Sequence, residues 1–451
     1  MNHWLILLTT LSPLLSDIPP YDISSDLSSD AATYDGDVLV MKGNVTLDHD
    51  LGQMKAEIAT LNKGEPTLEF SSILLQKEVS IFFESQGKLF SDQAFFDFQT
   101  LTGEVSSNDY PVIYNGKDLD LFCRKINLSL NRKGETFEIS NLTAHKDVHI
   151  DYQTDFHIDC EMALYEDDSL TATGKKLSRL THLGDWVDAK KIHLDLKTDL
   201  LSLESPKGEL SSLFFPDDLN RRCQFASHLL TWDHQNDLLL LKGGIVIHDP
   251  LLGTLIGENI FSLKQRKHFG KRTLQSIETE GKTILSSNNS ESLTSYGTLK
   301  LDRDELLITC KSPPDKQLKY ESKELLLFAD TARIEYSIQG FELKPQAIYL
   351  DVNVQFFSHD LSRPLRKGLA DHVVHDPQSM ETRLLADGEN TVLFWDEEKK
   401  LRLSAPEILI TQEGEEEVVK GIGTVRFTFT EEEGKRIDEL LPQKDAKWCL
   451  K

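Results

Sequence analysis

Apolar and polar residues alternate along most of this chain with a period of two, the spacing that sends successive side chains to opposite faces of a strand. In "DVHIDYQTDFHIDC" (147–160), Val148, Ile150, Tyr152, Phe156 and Ile158 fall on one face, while His149, Asp151, Asp155, His157 and Asp159 fall on the other. "KKIHLDLKTDLLSLESPKGEL" (190–210) sets Ile192, Leu194 and Leu196 together, breaks at a Lys-Thr-Asp turn and begins a second strand. "TVRFTFT" (424–430) predicts a further one. Asp-Gly, Gly-Lys, Asn-Asn-Ser and Asp-Pro turns punctuate the runs. Helical spacing is confined to "TEEEGKRIDELLP" (430–442), where Thr430 and Glu433 have the spacing of a capping box and Pro442 ends the run. The pattern predicts an all-β protein with a short helical tail.

The alternation also repeats. "DVLVMKGNVTLDHDLG" (37–52) aligns with "DLLLLKGGIVIHDPLLG" (237–253) through one inserted residue, and the strand after each copy holds Glu57 and Glu258 in register. "FWDEEKKLRLSAPEILI" (394–410) echoes "TWDHQNDLLLLKG" (231–243). "LFSDQAFFDFQTLTGEVSS" (89–107) shares an Asp-x-Ala opening and a closing glycine with "LFADTARIEYSIQGFEL" (327–343). One hairpin cannot bury its apolar face alone, whereas a stack of hairpins makes a continuous interior, and a glycine lets the chain bend at each corner. The apolar positions of the two clearest copies, Val38, Val40, Val45 and Leu47 with Leu238, Leu240, Ile245 and Ile247, are expected to share that inner face.

Composition narrows the function. Against 49 Lys and Arg stand 74 Asp and Glu, a net charge of -25 over 451 residues, which disfavours a nucleic-acid partner because phosphate neutralisation needs excess cations. The apolar stretch from Trp4 to Leu15 has the length of a signal-peptide core and is too short to span a bilayer. We therefore expect a signal peptide at 1–16, a linker at 17–32 and export. Five cysteines lie far apart without a C-x-x-C pair, a poor zinc site and a poor disulfide framework. Nucleophile-elbow, Walker, dinucleotide and H-E-x-x-H motifs are absent from the sequence, and carboxylates are too numerous for one pair to stand out. His145, Asp147, His149 and Asp151 have the spacing of a metal set, but alternation alone yields a solvated polar face there, so no catalytic residue, metal or cofactor is assigned.

The segments "MKGNVTL" (41–47), "MKAEIATL" (54–61), "LKGGIVI" (241–247) and "LIGENI" (255–260), together with the long run from Ala370 to Ile408, resemble the OstA-like superfamily of lipopolysaccharide transport. The resemblance implies an elongated antiparallel β-jellyroll of repeated hairpins, a V-shaped roll open along one side that shields acyl chains. It suggests rolls at 33–215, 216–358 and 359–430, followed by the tail at 431–451. The implied role is a non-enzymatic periplasmic bridge whose partners are lipopolysaccharide or a related lipid and other proteins of the superfamily, joined by edge-strand addition. The eight repeated apolar positions would then be core and groove wall at once. In "KQRKHFGKR" (264–272), Lys264, Arg266, Lys267, Lys271 and Arg272 form the strongest basic cluster and are the candidates for meeting phosphates or acidic sugars at the groove mouth. Two other readings stand beside it. One is a structural or adhesion β-repeat protein of the envelope. The other is a β-solenoid enzyme acting on polysaccharide, which predicts a strict short repeat and a clustered acidic site.

Overall fold

The computed structural model describes residues 26–439 apart from 50–51, 65–69, 84–86, 117–118, 134–135, 154, 212–220, 251–252, 269–270, 289, 324, 340–341, 361–362 and 414–415. The leader expected at 1–16 lies outside the described residues. Among the described residues the chain is nearly all β, built of antiparallel hairpins with one short helix. Contacts divide it into two compact units, Met1–Leu142 and Thr143–Lys451, in place of the three rolls expected from sequence.

In the second unit the strands sort into two rows. Row one pairs, in order, Leu200–Glu204, Leu229–Asp233, Leu238–Lys242, Ile260–His268, Lys271–Glu280, Thr298–Asp302, Leu307–Lys311 and Thr331–Gln339. Row two pairs Lys207–Ser211, Arg222–Ala226, Ile245–Asp249, Gly253–Gly257, Thr283–Ser286, Ser292–Ser295, Leu318–Glu321 and Leu325–Ala329. The chain makes a hairpin in one row, crosses a corner, makes a hairpin in the other and crosses back. The long strands Glu342–Asp360 and Arg363–Asp376 run through the corner and belong to both rows. Every corner thus lies on one side, and every hairpin turn lies on the opposite side. Strand pairing runs across the expected boundary at 215/216, and the single strand Glu342–Asp360 spans the one at 358/359.

Backbone hydrogen bonds stitch each corner to the next: Ser205 N–H donates to the His228 carbonyl (2.7 Å), His228 to Gly243 (2.8 Å), Gly243 to Asn259 (2.8 Å), Gly281 to Gly297 (2.9 Å) and Asp330 to Val352 (3.1 Å). Several corners use two consecutive residues at positive φ: Gly43–Asn44 (75° and 46°), Lys77–Glu78, Lys146–Asp147, Gly243–Gly244 (69° and 56°) and Val352–Asn353. At Gly243 and Gly244 a Cβ would come 2.7 and 2.9 Å from the His228 ring, so a side chain there would have to displace that ring.

The first unit follows the same plan. Val38–His49 pairs with Gly52–Lys63, that strand with Phe70–Phe83, and that one with Gly87–Asp97. Residues 26–32, expected as linker, instead supply the strand Asp26–Ser28 and the start of Ala31–Tyr34, both laid along Val38–His49. Its inward side chains Met41, Val45, Leu47, Met54, Ala59, Leu61, Ile73, Leu75, Ile81 and Phe96 are all buried.

At the other end of the chain, Glu431–Glu439 forms the expected helix with the expected capping box. Glu433 N–H donates to Thr430 Oγ1 (3.2 Å), and Thr430 N–H donates back to the Glu433 carboxylate (2.7 Å). Ile437 anchors the helix on Leu369, Leu393 and Trp395. The strand expected at 424–430 does not form. That stretch makes a single bridge, Ser404 to Arg426, and Val425 packs over Gly421 as the chain leaves the ladder for the helix.

Candidate functional site

Where the second unit's rows diverge toward their hairpin turns, they enclose an open-sided cavity of ≈ 260 Å³. Row two contributes Ile247, Leu255, Leu285 and Leu293, and row one contributes Ile277, Leu299, Leu301 and Ile308, with Leu343 beyond them. The period-two pattern puts these side chains inward from both rows. Leu285, Leu293 and Ile308 pack against the buried core yet, like Leu343, stay only half-buried along the cavity. The inward residues of the first unit named above are fully buried.

The rim is polar. Thr254, Ser286, Ser292 and Glu291 line it with Tyr320. Burial and the neighbouring Glu291 charge push the Tyr320 phenol above its ordinary pKa. At the row-two edge, Asp249 is 1% exposed and accepts from Arg221 Nε at 3.0 and 2.9 Å and from the Cys223 thiol at 3.2 Å. This buried pair fixes the end of the strand Ile245–Asp249 at the cavity lip. The lining offers carbon to a guest, with hydroxyls and carboxylates confined to the entrance. The chemistry it supports is burial of an apolar chain.

Of the eight repeated apolar positions, Ile247 lines this cavity and Ile245 is buried behind it. Val45 and Leu47 are buried in the first unit's interior at 2% exposure each. Val38, Val40, Leu238 and Leu240 lie on the opposite face, half-exposed, and the inward places belong to Leu39, Met41, Leu239 and Leu241. A one-residue bulge at the glycine would have put 38 and 40 on the same side as 45 and 47. The two-residue corner keeps the inward parity instead.

The basic cluster occupies the tip of the row-one hairpin Ile260–His268/Lys271–Glu280, on the side where the rows part. Lys264 and Arg266 are exposed, and Arg266 is paired with Asp304 of the next hairpin turn at 3.1 Å. The side chains of Lys267, Lys271 and Arg272 lie outside the described residues. The cavity residues contributed by 277–308 carried the same alternation as the rest of the chain, so sequence alone gave no signal to prefer them. The Arg221–Asp249 pair, 28 positions apart, left none either.

No helix among the described residues is long and apolar enough to cross a membrane. No protein-family model matches the chain, and no curated protein matches it.

Proposed function

We propose that this chain is a non-enzymatic lipid-binding scaffold of the periplasm that carries the acyl chains of lipopolysaccharide or a related lipid between its two strand rows. The observation that carries the reading is the apolar cavity that opens between the hairpin turns, lined from both rows and left unfilled by its half-buried leucines. A guest alkyl chain entering there would gain about 0.8 kcal/mol per buried methylene, with no bond made or broken. The basic cluster at a hairpin tip on the same side supports contact with phosphate-bearing headgroups, although Lys264, paired with Leu238, is on the outer face there. The buried inward side chains of the first unit support a structural part for that unit.

Photo-crosslinking tests this. A photoreactive residue at Leu293 or Ile308 should form a covalent adduct with lipopolysaccharide, and the same probe at Leu240, on the outer face, should not. Absence of adduct at both lining positions, or equal adduct at Leu240, would overturn the reading.

A further inference from the structure

The polar face of the hairpin formed by Thr136–Tyr152 and Phe156–Glu166 holds a cluster outside the cavity. Val148, Ile150 and Ile158 point inward and are buried, which leaves His149, Asp151, His157 and Asp159 together on the outer side. His149 Nε2 lies 3.0 Å from Asp151 Oδ1, and His157 Nδ1 lies 2.5 Å from the same oxygen. The two imidazoles are stacked, 6.0 Å between centroids and 11° between planes, so both rings present a nitrogen to one point. One donor atom from each of His149, Asp151 and His157 falls within 4.8 Å of the others.

A second observation fixes the chemistry of that point. His149 Nδ1 is 2.7 Å from Asp159 Oδ1. A carboxylate that accepts the Nδ1 proton holds the ring in the tautomer whose Nε2 lone pair faces Asp151 and His157. This is the outer carboxylate that metal-bound histidines habitually carry. Asp147, which the strand pattern grouped with this set, sits in the Lys146–Asp147 corner instead, and His145 lies beyond that bend. The constellation is therefore built across the hairpin, from 149, 151, 157 and 159, and not along one strand.

We propose that His149, Asp151 and His157 bind a divalent transition-metal ion of the zinc class, with Asp159 as the positioning residue behind His149. Two imidazoles and one carboxylate suit zinc and its borderline neighbours and disfavour magnesium and calcium, which take all-oxygen shells. Three protein ligands leave one tetrahedral position to water. The ion bridges the two strands of the hairpin, independently of any lipid bound between the rows.

Calorimetric titration of the untagged full-length protein with zinc chloride tests the site, with cobalt(II) d–d absorption as the spectroscopic readout. The expected result is one equivalent bound, resistant to excess magnesium and calcium, and lost in the His149→Ala/His157→Ala double variant. Asp159→Asn should keep the stoichiometry and weaken binding about 10–100-fold. His248→Ala, an exposed histidine elsewhere, should leave the titration unchanged. An unchanged far-UV spectrum and urea midpoint without metal show that each variant is folded. Binding that persists in the double variant, or no single-equivalent binding in the wild type, would overturn the proposal. Full affinity in Asp159→Asn would overturn the role given to Asp159.

Discussion

Replacing Gly253 by alanine isolates the steric demand that the repeated motif places on its closing glycine. Gly253 has φ +103°, and a Cβ there would fall 2.0 Å from the Ser286 carbonyl oxygen and 2.9 Å from Ser287 Cα. Both are backbone atoms, held by pairing of Gly253–Gly257 with Thr283–Ser286, so neither can step aside like a flexible side chain. The conformation alone costs roughly 1–3 kcal/mol for an L side chain, and overpacking adds roughly 1–3 kcal/mol. Contact with a fixed oxygen puts the sum in the upper half of that span. Gly388, in the same unit, is the control: its φ is also positive, at +58°, but nothing lies within 4 Å of its would-be Cβ. Only the left-handed penalty of about 1–2 kcal/mol applies there. Thermal unfolding followed by tryptophan fluorescence should show a Tm drop of about 8–12 °C for Gly253→Ala against about 2–4 °C for Gly388→Ala. Drops that agree within about 2 °C would refute the close-approach argument. Gly52, the matching glycine of the first copy, has the same geometry, with the Phe82 carbonyl oxygen at 1.9 Å.

Asp249→Ala leaves the Arg221 guanidinium buried without its carboxylate and should cost about 3–5 kcal/mol in urea unfolding, whereas Arg221→Met/Asp249→Leu should recover most of it; a double variant as unstable as the single would refute this. His372 lies 2.7 Å from Asp351 and 2.8 Å from Asp387, and these hydrogen bonds, Asp351 first, raise its pKa. Its contribution is full below the unfolded value of about 6.5 and is lost as pH climbs through the folded one. His372→Gln should therefore lower Tm more at about pH 5.5 than at about pH 8.5, and an equal drop at both would refute the assignment. Burial pushes the Cys310 thiol up to about 12, while Cys160 is partly exposed. Iodoacetamide at about pH 8 should label Cys160 in the native protein and Cys310 only after unfolding, as peptide mass spectrometry would read; native labelling of Cys310 would contradict its burial.

Much of the fold was written in the period-two pattern. It required strands almost everywhere, and the Thr430–Glu433 spacing located the helix and its cap because both signals are local. The faces upstream of each corner were not legible. Val38 and Leu240 look inward only if one residue is inserted at the glycine, and the sequence does not say that Gly43–Asn44 and Gly243–Gly244 each take two left-handed steps. Similar wording also misled across rows: Trp232-Asp233 lies in row one and Trp395-Asp396 in row two, although the two stretches read alike. The cavity was hidden for a different reason. A void is a property of the spacing between rows, and Leu293 alternates in sequence just as buried Leu61 does.

The stitched corners carry a consequence for how such a chain can change size. Each coil, one hairpin per row, pairs with its predecessor and successor, so an in-frame cassette of one coil can be duplicated or excised with both new junctions meeting familiar neighbours. Length becomes an adjustable parameter of the gene, set by counting coils and not by redesigning a core.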